Sequence, residues 1–395
     1  SRLFEGGEDG FTYWHRRIGE FLGARWLAKR ADEPAKRRRL LHLFQSHGLV
    51  PASLRGLHAW LARDPKLAPA VIAADPLGIV EYGDADALTP EQARQLFDAL
   101  RRHASDSPGF WRWEGFRARA LVSPALHDEI EAVLRDWSTP FDLRALIAEQ
   151  FVDATSTARH RDTLRERLLD RDEVYAIRHL AAQALTTLID EDWPTILEEL
   201  RQQGTESSTR LAVEWIQRNG MDGLDDVQVI ETLLAYDGLT LAIGPEDEDR
   251  GSIGSYLRFA GRVPVERLDG LLDTLTDFTG EFLGARVEYD SSDLIGCAHD
   301  LIRRRLEHGS VEPLRLWGWL APYRRGRSYF PDHEAAIADW IRSHDDARRT
   351  IQRHVLLDRS LEGRWWKLSR LTGASAGLKP SEDDVVALLE TLDPG

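Results

Sequence analysis

FTYWHRRIGEFLGARWL, Phe11 to Leu27, holds both of the periods from which a fold can be built. Phe11 and Tyr13 alternate with Thr12 and Trp14, as in a short strand. From Ile18 onward the period changes: Ile18, Phe21, Leu22 and Trp26 fall at i, i+3, i+4 and i+8, one face of a helix. Downstream the helical period wins almost everywhere. Leu40, Leu41 and Phe44 repeat it, as do Leu54, Leu57, Trp60 and Leu61, with Pro51 at the entry to the second run. Thr89-Pro90-Glu91-Gln92 reads as an N-cap, a first-position proline and an acidic first turn ahead of Leu96, Phe97 and Leu100. Further helices are expected near 123–136, 140–152, 160–169, 172–189, 192–203, 206–219 and 226–236, then near 264–278, 291–307, 311–321, 332–343, 345–357 and 381–392. Apart from Phe11–Trp14, the one strand signal is a faint one at Arg286–Tyr289.

Composition narrows the class. The chain has 395 residues, more than one compact core usually serves, so two or three domains or an extended array are expected. With 42% apolar and 30% charged residues it is a folding sequence and not a disordered one. A net charge of −15 repels phosphate in bulk and argues against a nucleic-acid-coating surface. Cys297 is the sole cysteine, which excludes an internal disulfide and multi-cysteine metal sites and suits a reducing, cytoplasmic setting. No apolar run approaches the length of a membrane span. Lysine occurs only at 29, 36, 66, 367 and 379, so arginine carries nearly all positive charge, as in GC-rich bacterial genomes. The chain opens on Ser1 and is read as part of a longer polypeptide.

Short helices joined by short loops stack as antiparallel pairs. Gly48, Gly204, Gly220 and Gly309 each follow a periodic run, where a left-handed C-cap is needed. A tryptophan echo near helix ends, AWLARD (59–64), EWIQRN (214–219), DWIRSH (339–344) and more weakly GWLAPY (318–323), has irregular spacing, so no fixed period is expected. The expected fold is all-α: an irregular, HEAT-like α-solenoid, with a set of compact helical bundles as the alternative. GPEDEDRGSIG (244–254) reads as an exposed linker, and LTGASAGLKPSED (371–383) as a second small, polar stretch. The organisation expected is residues 1–32 as the end of one module, 33–243 as the first part of a helical array and 252–395 as the second.

Catalytic signatures are missing. The sequence holds no phosphate-binding GxxxxGK[ST] loop, no GxGxxG, HExxH or GxSxG, and no paired-cysteine zinc spacing. His42, His47 and His58 need not share a helix face and are read as surface or core residues; no metal ligand is assigned. Cys297, with His299 two residues on, reads as structural. EYGDADALTPE (81–91) lacks the alternating oxygens of a calcium loop and reads as a solvated turn. KRRR (36–39) reads as a helix's solvent face. FWRWEGF (110–116) and Trp365–Trp366 are large aromatic payloads, suited to helix packing or to a partner surface. Trp111 and Trp113, with Tyr323 and Arg325 beside the RRGR run (324–327), are the leading partner-binding candidates.

The opening stretch has one further property. His15 stands where the helix begins, among unpaired N–H groups and a positive local field that suit an anion. Tyr13, His15, Ile18, Glu20, Phe21, Leu22 and Ala24 resemble the winged-helix tail of the NACHT-type nucleotide-binding module found in STAND signalling ATPases. Gly19 stands in place of the usual glutamine and Gly23 in place of a usual alanine, each weakening the helix by about 1 kcal/mol relative to alanine. The match covers roughly 20 residues. It implies that His15 contacts the β-phosphate of ADP bound to a module upstream in the same polypeptide. It also implies that a helical-repeat sensor follows the winged helix, and that the parent oligomerises on activation.

Three readings follow. In the first, this is the C-terminal sensor of a bacterial NACHT-type ATPase, in antiphage defence or signalling, that binds a protein trigger such as a phage product. In the second it is a free-standing helical scaffold for protein–protein contact. In the third it is an all-α enzyme whose residues meet only in the fold. On the first reading this chain alone has no cofactor and no catalytic residue, since ADP or ATP belongs to the full-length parent, and neither nucleic acid nor a membrane is a partner.

Overall fold

The computed structural model describes residues 4–7, 10–13, 15–44, 49–106, 118–243, 259–286, 292–322, 331–357 and 377–392. Two strands, β1 (Phe4–Gly7) and β2 (Gly10–Tyr13), pair antiparallel with Phe4 opposite Tyr13 and Gly7 opposite Gly10. Every longer element after them, among the described residues, is a helix. β2 is the strand that the Phe11–Trp14 alternation predicts. β1, FEGG, carries no β pattern of its own and is fixed by its partner.

The chain separates between Glu191 and Asp192 into two compact units. This differs from the expected boundaries at 32/33 and 243/252. Residues 1–32 belong to the first unit, where α1 (Arg16–Arg30) packs on α3 (Arg55–Trp60). The stretch 244–254 lies outside the described residues.

In the first unit α2 (Pro34–Phe44), α4 (Ala68–Ala74), α5 (Pro76–Tyr82) and α6 (Pro90–Asp106) precede two helix pairs. These are α7 (His127–Arg135) with α8 (Phe141–Ala148), and α10 (Arg161–Leu169) with α11 (Tyr175–Leu185); α9 (Ala154–Arg159) joins them. α7 packs on α10 and α8 on α11, so the pairs stack in two layers. Ile130, Leu134, Leu146, Ile147, Leu164, Leu168, Ile177 and Leu185 fill the space between them and are buried. No helix here could bury its apolar stripe alone.

The second unit repeats the layering with α12 (Trp193–Gln203), α13 (Glu206–Asn219), α14 (Asp226–Ile243), α15 (Leu268–Arg286), α16 (Ser292–Glu307), α17 (Pro313–Leu320), α18 (Pro331–Ser343), α19 (Asp345–Leu357) and α20 (Glu382–Leu392). α15, α17 and α19 contact in series, and α16 packs on α18. Gly204 takes the expected left-handed C-cap (φ 62°, ψ 16°), whereas Gly220 has positive φ (89°) with ψ −160°, outside that region, and Gly309 has φ 133°. Gly48 lies outside the described residues.

A period does exist where none was expected. α7, α10, α12 and α14 begin at His127, Arg161, Trp193 and Asp226, a spacing of 32–34 residues. The tryptophans do not mark it. Arg144 and Arg178, both buried, share the fourth position of α8 and α11, the second helices of two successive pairs. Trp215 stacks on Trp193 at 4.6 Å, and Trp319 donates its indole N–H to Asp273 at 2.7 Å.

Candidate functional site

His15 ends the extended segment and caps α1 through its backbone: its φ and ψ are −119° and 129°, and its carbonyl accepts from Ile18 N at 3.0 Å. Its side chain is exposed and makes no capping bond. The first turn of α1 holds no acidic residue, only Arg16 and Arg17. Two cations at the positive end of a helix are mildly unfavourable. Glu20 relieves one, accepting from Arg16 at 2.7 Å. The remaining field at this end suits an anion.

α1 meets α3 through close contacts. A β-carbon at Gly23 would stand 3.0 Å from Leu57 Cδ1, so glycine there lets the two helices approach. Gly56 answers from the other side, since a β-carbon would fall on the Glu20 carboxylate. Phe21 and Trp60 meet edge to face at 5.2 Å. Beside them opens a cleft of about 390 Å³. Phe21, Ala24 and Trp60 line it, with Arg25, Lys29 and Arg63 on one side of the charge balance and Asp64 on the other. The Trp60 indole N–H is buried there without a hydrogen-bond partner. Such a lining accepts an apolar or aromatic side chain flanked by an acidic group.

Trp111, Trp113, Tyr323 and Arg325, the partner-binding candidates read from the sequence, lie outside the described residues, as do Trp365 and Trp366. Three of the four carboxylates of the 81–91 turn are engaged in structural bonds. Glu81 pairs with Arg55 at 3.0 Å, Asp84 with Arg63 at 3.1 Å, and Asp86 accepts from the Arg119 backbone N–H at 2.6 Å. Cys297 is buried, and burial pushes its thiol up, away from any thiolate role.

A second constellation escaped the sequence reading. His127 and Glu131 stand one turn apart on α7, and His160 sits between α9 and α10, 29 residues beyond Glu131. One donor atom from each lies within 4.8 Å of the others. His160 Nδ1 is 2.8 Å from Glu131 Oε1, and the two imidazole centroids are 4.6 Å apart. Glu131 Oε2 accepts from the Thr163 hydroxyl and pairs with Arg135 at 2.6 Å. His127 Nδ1 is buried with no hydrogen-bond partner. Burial pushes the His160 imidazole below its ordinary value despite its bond to Glu131. Burial also pushes the Glu131 carboxyl up, but Thr163, His160 and Arg135 outweigh it and hold the group lowered, as a carboxylate. The available signal was His-x-x-x-Glu on one helix face; the third member comes from the next helix pair and has no local signature.

Compared with known proteins, the chain matches no family model, no curated protein and no solved structure. Among the described residues, no helix is long and apolar enough to cross a membrane.

Proposed function

We propose that this chain is the helical sensor of a bacterial NACHT-type signalling ATPase, recognising a protein trigger in antiphage defence or signalling. The observation that carries the reading is His15. It follows a β-hairpin, opens the 15-residue helix α1, and leaves its side chain exposed and unused in capping. A hairpin running into such a helix suits the end of a winged helix. The cationic first turn and free imidazole suit a β-phosphate held by a module upstream in the same polypeptide.

The layered helix pairs supply the recognition surface, since stacked repeats present extended faces to protein partners. The cleft beside α1 suits an apolar anchor with an acidic neighbour. The chain-wide charge of −15 acts at longer range and favours basic or neutral partners, whereas the cleft's cations act within about 8 Å at physiological salt.

In the full-length parent, His15→Ala is expected to weaken ADP retention by about 1.5–3 kcal/mol, the worth of one hydrogen bond to a charged group, and to raise basal activity. Exchange of a fluorescent ADP analogue measures it. Unchanged nucleotide affinity in the folded mutant overturns the reading and leaves the scaffold alternative.

A further inference from the structure

We propose that His127, Glu131 and His160 form a binding site for one divalent transition-metal ion, of which zinc is the natural occupant. The donors converge from two successive helix pairs, and their chemistry is selective. Two imidazoles and one carboxylate suit Zn²⁺, whereas Mg²⁺ and Ca²⁺ require oxygen ligands. The inference does not rest on the sensor reading.

The arrangement has the parts a metal centre needs. Glu131 Oε2 is held by Thr163 and Arg135, which leaves Oε1 toward His160 and fixes the carboxylate's direction. His160 is 2% exposed, with Nδ1 2.8 Å from Glu131 Oε1. His127 is half-buried at the first residue of α7, and its buried Nδ1 lacks a partner that a metal would supply. Donors around tetrahedral zinc stand about 3.3–3.5 Å apart. The three donor atoms lie within 4.8 Å of one another, a spread that small side-chain rotations close. Metal entry replaces the His160–Glu131 hydrogen bond, and the imidazole stays neutral as its proton shifts from Nδ1 to Nε2. Three protein ligands leave a fourth position for water. Arg135 reduces the negative charge available, so the site binds more weakly than one with thiolate ligands.

A polar rung between helix pairs is the competing explanation, and it leaves His127 without a role. The test uses the full chain stripped with a chelator and titrated with Zn²⁺ by calorimetry, then with Co²⁺ by visible absorption. The expected result is one Zn²⁺ per chain at this site, with the d–d bands of tetrahedral Co²⁺. Both are lost in His127→Asn, whose circular dichroism stays that of wild type. Thr163→Val, which removes only the outer hydroxyl, is expected to weaken Zn²⁺ binding about 10–100-fold. Should His160→Asn fail to fold, His127→Asn decides alone. Equal zinc stoichiometry and affinity in wild type and His127→Asn, or no binding by wild type, overturns the proposal.

Discussion

At the scale of single residues, the buried histidines separate what type and spacing disclose from what they conceal. His58 is fully buried, with its ring 5.6 Å from Phe44, and neither of its ring nitrogens has a hydrogen-bond partner. Burial pushes its imidazole below the ordinary value of 6.5, against the pull of Asp75. The folded chain therefore binds this proton less readily than the unfolded chain. Stability is full above about pH 6.5 and falls as the pH drops below it. His58→Leu is expected to stabilise the protein by about 1–3 kcal/mol, the cost of an unsatisfied buried polar group, and to flatten this dependence. Thermal unfolding of both proteins between about pH 7 and pH 5 checks it. A wild-type midpoint indifferent to pH counts against the argument. The sequence placed His58 among surface or core residues, and only its neighbours decide which.

At the scale of elements, local chemistry was most legible where helix ends are capped by nearby side chains. Thr89, read as an N-cap, forms a reciprocal box with Gln92: Gln92 N donates to Thr89 Oγ1 at 3.3 Å, and Thr89 N to Gln92 Oε1 at 2.9 Å. Thr89→Ala is expected to cost about 0.5–2 kcal/mol in urea unfolding, while Thr89→Ser costs little. Equal losses in the two variants would show that the methyl, and not the hydroxyl, matters. α4 and α5 were missed for the opposite reason. APAVIAADPLGIV is apolar on nearly all sides, so no helical stripe stands out. Asp75 is what divides it, accepting from Gly78 N at 2.9 Å to start α5. The faint strand at Arg286–Tyr289 begins on the last residue of α15, and its remainder lies outside the described residues.

At the scale of the whole molecule, stability within the first unit depends on rungs between successive helix pairs. Arg144 donates to Glu173 at 2.6 Å, and both side chains are almost wholly buried, at 6% and 0% exposure. Arg144 and Arg167 each also lie 5.5 Å from the Trp137 ring. Glu173→Gln is expected to cost about 3–5 kcal/mol in denaturant unfolding, because it leaves a buried guanidinium uncompensated. The double variant Arg144→Met, Glu173→Leu is expected to recover much of that loss. Recovery is possible because Arg167 retains Glu166 at 2.5 Å and Asp170 at 3.3 Å. A double variant no more stable than the single one would assign the cost to packing instead of charge.

The amino-acid sequence by itself determined the all-α class, most helix positions, the Thr89 N-cap, and the break from strand to helix at His15. All of these rest on interactions within about four residues, which a linear reading can see. Tertiary structure alone decided the 32–34-residue period, the division at Glu191/Asp192, and the meeting of His127 and Glu131 with His160. Those depend on side chains some 30 positions apart, such as Arg144 with Glu173 at a separation of 29. Such a contact has no local pattern, because what brings its two ends together is the burial of the apolar faces between them.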